Sequence, residues 1–144
     1  MIRRKFLSSG RNLEIVVRGN SMQPLFNDGD RILLTYCRSF NLGDVVVFEY
    51  DGSILVHRIL KIDGSYIYCK GDNCFRLEKT TTSEIIGKVL QVNGCELKSM
   101  TIELINLSYC VGCNFEEVKN NEKVKNMDSY KKYKELIGYW IDDT

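Results

Sequence analysis

Short turn dipeptides recur along this chain with β-branched runs between them, and that rhythm narrows the folds open to it. Asn27-Asp28-Gly29-Asp30, Asn41-Leu42-Gly43-Asp44, Asp51-Gly52, Asp63-Gly64 and Asn93-Gly94 are all turn signals. Asp-Gly and Asn-Gly are the pairs that best accept the positive φ angles of a two-residue hairpin. The segments they separate read as strands: Leu13–Arg18, Arg31–Tyr36, Val45–Tyr50, Ser53–Ile62, Ser65–Lys70, Glu84–Val92 and Cys95–Lys98. Strands joined by tight turns pair antiparallel, so the expectation is a mainly β fold. After Gly71-Asp72-Asn73 the chain reads as a polar loop through Thr80-Thr81-Thr82-Ser83.

Outside this rhythm lie the two ends. Ile2–Leu7 is expected to form a short basic helical turn. From Ser99 the pattern changes: Ile102, Leu104, Ile105 and Leu107 fit a short amphipathic helix and a strand equally well. Glu116 to Glu135 carries six lysines and five acids and reads as solvated surface. Tyr130, Tyr133, Leu136, Ile137 and Trp140 recur at helical spacing, predicting a C-terminal helix with one face on the sheet. A face that binds a partner protein is the competing reading. The division expected is a β-domain over 1–98 and a partly helical extension over 99–144.

Composition excludes several classes. Twenty basic and nineteen acidic side chains leave a net charge of +1, which gives no electrostatic case for nucleic acid or an anionic membrane. No apolar run approaches the roughly 20 residues of a membrane span, and Phe6-Leu7-Ser8-Ser9-Gly10 is no signal-peptide core. The expectation is a cytoplasmic protein without a transmembrane anchor. Its six cysteines (Cys37, Cys69, Cys74, Cys95, Cys110 and Cys113) are then expected as free thiols. Cys110-Val111-Gly112-Cys113 has zinc-knuckle spacing, but no second pair or nearby histidine accompanies it, so neither a metal nor a cofactor is expected.

The chemistry centres on Gly19-Asn20-Ser21-Met22-Gln23-Pro24, where a strand-like run ends in a tight bend. A serine hydroxyl is a weak nucleophile until a base can take its proton. His57 is the only histidine, and in its strand it shares a face with Leu55 and Ile59. A histidine in that position can be a packed core residue. It can equally be a general base, because an ordinary imidazole, with a pKa of about 6.5, accepts a proton at neutral pH. Such a base needs a carboxylate on its far nitrogen to fix its tautomer. Asp72 and Glu78 are the candidates, Asp72 competing with a plain turn-capping role.

In order, Gly19-Asn20-Ser21-Met22-Gln23-Pro24, Gly29-Asp30, Gly43-Asp44-Val45-Val46-Val47-Phe48, Val56-His57-Arg58-Ile59, Lys70-Gly71-Asp72-Asn73 and Gly87-Lys88-Val89 resemble the type I signal peptidases, in their Ser-His branch. The resemblance runs from Leu13 to Val92. It implies an antiparallel β-fold shared with LexA-like self-cleaving repressors. It assigns Ser21 as nucleophile and His57 as general base. It also implies a third catalytic residue at Asp72 or six positions beyond it, where this chain has Glu78.

The expected activity is a serine endopeptidase that cuts a peptide or leader after small residues. The substrate would lie extended beside the strand entering Ser21, against Val17, Gly19, Asn20, Met22 and Pro24. The alternatives are a non-catalytic peptide-binding scaffold and a LexA-like regulatory peptidase. Against the latter, Met1–Leu13 is too short for a helix-turn-helix, and His57 stands where a lysine base would be.

Overall fold

In a computed structural model of the chain, the structure describes residues 10–142, with side chains to residue 138. The expected helical turn over Ile2–Leu7 and the side chain of Trp140 lie outside the described residues. Eight strands form one antiparallel sheet: β1 (Leu13–Val16), β2 (Arg31–Thr35), β3 (Val45–Tyr50), β4 (Ser53–Asp63), β5 (Tyr66–Lys70), β6 (Glu78–Thr81), β7 (Ile85–Val92) and β8 (Cys95–Glu96). Their order is β1-β2-β7-β3-β4-β5-β6, with β8 paired to β7. Three helices follow, α1 (Ile102–Val118), α2 (Asn121–Lys125) and α3 (Asp128–Asp142).

The hairpin dipeptides set the register. Asp51 and Gly52 both take positive φ (53° and 81°), as do Asn93 and Gly94 (49° and 81°). That conformation matches the twist of the flanking strands, and it pairs Tyr50 with Ser53 and Val92 with Cys95. β3 is buried on both faces. Val45 and Val47 join Met22, Phe26, Ile32 and Leu34 on one side, while Val46 and Phe48 join Ile59, Ile67 and Cys69 on the other. Each such side chain withdrawn from water contributes ~1.5–3 kcal/mol, which makes β3 the spine of the fold.

One segment departs from the expectation and another resolves a choice between helix and strand. Glu78–Thr81, read as polar loop, is strand β6, an edge strand paired among the described residues only to β5, with Cys69 opposite Glu78. Its threonines satisfy the steric preference of a strand, but only one of its four residues, Glu78, is fully buried, so no apolar alternation marks it. The segment from Ile102 is a helix. The Thr101 hydroxyl accepts the Leu104 N–H at 3.2 Å and caps it.

The helices pack on the sheet. Leu104, Ile105 and Val111 from α1, Val124 from α2, and Tyr133 and Ile137 from α3 close over Leu60 and Met100. Val124 is fully buried within the stretch that reads as solvated surface. Gly112 is where α1 meets Leu77: a Cβ there would stand 2.4 Å from the Leu77 Cγ. No helix among the described residues is long and apolar enough to cross a membrane.

Candidate active site

β1 runs into a turn that Asn20 to Leu25 form and that the following loop ties down. Gly19 (φ 85°) donates its N–H to Asp28 Oδ1 at 2.7 Å, and Asp28 N–H returns to Asn20 Oδ1 at 3.2 Å. Val17 and Asp30 are joined at 2.8 Å and Val17 and Gly29 at 2.9 Å through their backbones. Inside the turn the Gln23 N–H reaches Asn20 O at 3.2 Å, and Met22 is 2 % exposed beneath it. The chain is thereby bent sharply at Ser21, with the Ser21 side chain half-buried and facing β4.

On β4 neighbouring side chains point to opposite faces, and the pair His57–Arg58 shows the result. His57 Nε2 lies 3.2 Å from Ser21 Oγ, and His57 Nδ1 lies 2.6 Å from Glu78 Oε1. The Glu78 side chain is 1 % exposed and that of His57 7 %. A carboxylate only accepts, so Nδ1 carries the imidazole proton and Nε2 is left to accept the serine hydroxyl. Phe48 meets the ring edge-on, with centroids 6.3 Å apart. The exposed Arg76 sits 3.6 Å from the second Glu78 oxygen.

Arg58 takes the other carboxylate. Its Nε and Nη2 donate to Asp72 Oδ1 and Oδ2 at 3.0 and 2.8 Å, and its Nη1 donates to Gly43 O at 2.8 Å. Burial works against this guanidinium's charge. The attraction and hydrogen bonds of Asp72 outweigh it and hold the pKa above the ordinary arginine value. Asp72 is thus committed to Arg58, and among the two candidates it is Glu78 that meets His57.

The segment Lys70–Cys74 closes the site from behind. Asn73 donates its N–H to Ser21 O at 2.9 Å and its side-chain amide to Asn20 O at 3.1 Å. Gly71 lies where no side chain fits: a Cβ would stand 2.6 Å from Ser21 O, 2.9 Å from Cys74 Sγ and 3.0 Å from His57 Nε2. Lys70, fully buried, donates to Gly71 O at 2.9 Å and Cys74 O at 2.7 Å. Burial pulls its ammonium pKa down to about 8, against the attraction of Asp72. Burial, with Glu78 nearby, raises the Cys69 thiol, and burial raises the Cys74 thiol, so both stay protonated at neutral pH.

A groove of about 510 Å³ opens in front of Ser21 and His57. One wall is Ile15–Arg18, the other Ile54–His57, with Phe26 between them. Among the described residues β1 pairs only with β2. β4 pairs with β5 only from Arg58 onward, so among the described residues Ser53–His57 is bound to β3 alone. Both walls therefore present backbone N–H and C=O groups unpaired in the sheet.

Of the residues expected to touch a substrate, Val17 lines this groove. Met22 is in the core, where its sulfur accepts the Asp72 N–H at 3.4 Å. Gly19 and Asn20 bind the loop at Asp28, and Pro24, after a cis peptide, is half-buried in the turn. The sequence reading missed Phe26, the Ile54–Val56 wall and the bracing role of Asp28. For the wall, the signal available was the position of His57 in the same strand.

Comparison with known proteins covers this half of the chain. The Peptidase S24-like family model matches residues 2–90. The signal peptidase complex catalytic subunit SEC11 of Saccharomyces cerevisiae, in strains YJM789, RM11-1a and JAY291, is 40% identical over 67 residues. That stretch is 41% of this chain and 40% of the yeast protein, so the chain spans less than half the length of the curated relatives it matches.

Proposed function

The chain belongs to the Peptidase S24-like family, and on that premise we propose that it is a serine endopeptidase working through Ser21, His57 and Glu78. The observation that carries this reading is the hydrogen-bonded row Ser21 Oγ–His57 Nε2–His57 Nδ1–Glu78 Oε1 at the floor of an open groove.

An extended peptide enters the groove and pairs with the unpaired edges of β1 and Ser53–His57, which align its backbone without regard to sequence. As its carbonyl carbon nears Ser21 Oγ, His57 Nε2 takes the hydroxyl proton, and the 3.2 Å contact shortens in the complex. Glu78 stabilises the imidazolium and holds the ring in place. The oxyanion meets the Ser21 N–H, which engages no acceptor among the described residues. His57 then returns the proton to the departing amine, and water releases the acyl group with the roles reversed.

The groove walls Ile15, Val17, Phe26, Leu55 and Val56 are apolar and favour small apolar side chains close to the cut. Preference for small residues is also what likeness to type I signal peptidases implies. The test is a peptide-library digest read by mass spectrometry, wild type beside Ser21→Ala. Cuts after small residues, absent from the variant, are expected. Uncut peptides retained equally by both proteins would replace this reading with a binding module.

A further inference from the structure

The catalytic row uses nothing beyond Glu78, yet the chain continues for a further 66 residues, and one of them reaches back to the site. Tyr133, on α3, is 1 % exposed, and its Oη donates to Asp72 O at 2.7 Å. With that bond every polar group of Asp72 is engaged. Its carboxylate holds Arg58, its N–H meets the Met22 sulfur, and its carbonyl accepts the phenol. The Lys70 ammonium stands 4.8 Å from the centre of the Tyr133 ring while gripping the carbonyls of Gly71 and Cys74. Lys134, next on the helix, lies 3.4 Å from Asn73 Oδ1.

These contacts converge on the four residues Gly71–Cys74, whose other side is the Ser21 turn. Asn73 holds Ser21 O and Asn20 O, Asp72 holds Met22, and Gly71 sits against Ser21 and His57. Phenol, loop and nucleophile turn form an unbroken run: Tyr133 Oη to Asp72 O, then Asn73 N–H to Ser21 O. The apolar cluster of Leu60, Met100, Leu104, Ile105, Val111, Val124 and Ile137 fixes the ring end of that run. A phenol buried there has no water to turn to, so its partner carbonyl is fixed as firmly as the ring is.

We infer that Tyr133 is a positioning residue for Ser21, and that α3, which lies beyond the stretch matched by the family, is the brace of the nucleophile turn. The inference rests on the peptidase reading for its consequence in catalysis, but the mechanical link stands apart from it. Losing the phenol hydroxyl frees the Asp72 carbonyl, loosens Asn73, and lets Ser21 leave its contact with His57. Ground-state binding in the groove is untouched, because Tyr133 is not among the groove's residues.

The experiment compares wild type, Tyr133→Phe and Lys134→Met by amide hydrogen exchange and by cleavage of a library-selected peptide. Tyr133→Phe keeps the packing and the ring face. It is expected to speed exchange of the Asn73 amide about tenfold and to lower kcat about tenfold with KM within about twofold. Lys134→Met, an exposed change that leaves the core intact, is expected to move both in the same direction by about twofold. Unchanged Asn73 exchange in the two variants overturns the inference. So does faster exchange with an unchanged kcat, or a loss that falls on KM. If wild type cuts nothing, the peptidase reading fails by itself, and the exchange arm still decides whether α3 braces the turn.

Discussion

His57 and Arg58 are adjacent on β4, and each takes one buried carboxylate from the chain beyond β5. On one face Arg58 and Asp72 satisfy each other at two points and are closed off by Gly43, Met22 and Tyr133. On the other face Glu78 uses one oxygen on His57, and the imidazole's second nitrogen looks past it to a serine in an open groove. The first pair is a closed bracket with nothing left to offer. The second has an unspent acceptor beside a serine hydroxyl. What separates structure from chemistry here is the valence left over, since burial is nearly the same for both carboxylates (0% and 1%).

Breaking each face should give different losses. Ser21→Ala or His57→Ala removes the row and is expected to cut kcat by ~10⁴-fold or more; Ser21→Ala leaves thermal unfolding little changed, whereas His57→Ala also strands the buried Glu78 carboxylate and lowers stability. A variant of either that kept its turnover would dissolve the distinction. Gly71→Ala strikes the boundary between the faces, because its new methyl must displace Ser21, Cys74 or His57. We expect kcat to fall by ~10²-fold and stability by ~1–3 kcal/mol, measured by peptide turnover and denaturant titration.

Asp72→Asn opens the bracket. It strands a buried guanidinium and should cost about 3–5 kcal/mol of stability in urea titrations. Activity per folded molecule is expected to suffer less than in the Ser21 variant. A more gradual effect is the pH signature of Lys70. Its pKa of about 8 in the fold lies below its ordinary value of 10.5, so above pH 8 the unfolded chain binds the extra proton. Stability from this group therefore rises with pH from 8 towards 10.5, by up to ~1.4 kcal/mol per pH unit. The check is the stability of wild type minus that of Lys70→Met, which should shift in favour of wild type over that range. A constant difference would mean that the buried ammonium carries no such penalty.

The sequence made the β-fold readable wherever turn chemistry and β-branched runs alternate, which covers β1 to β5, β7 and β8. It hid β6, because Glu78-Lys79-Thr80-Thr81 shows no apolar alternation and pairs along one side only. That omission left Asp72 and Glu78 undecided: sequence order offers both as partners of His57, and only the pairing of β6 with β5 brings Glu78 to it. Ser21 and His57 were legible as residue types beside turn signals. The groove was not, since its walls lie 40 residues apart and face each other only through the tertiary fold (Val16 and Val56, for example). Nor was the role of Tyr133. A tyrosine at helical spacing announces a buried face, while the carbonyl its hydroxyl finds, 61 residues away, depends on tertiary packing.

The most direct test of the division between the two faces is the cleavage rate of folded Glu78→Gln with a peptide that wild type cuts. Glutamine keeps an oxygen that can face His57 but removes the charge that stabilises the imidazolium. A loss in kcat of ~10²–10⁴-fold at near-normal KM, with little change in stability, is expected. Wild-type turnover by Glu78→Gln, alongside folded but inactive Asp72→Asn, would contradict it and move the third catalytic role to the face assigned here to the scaffold.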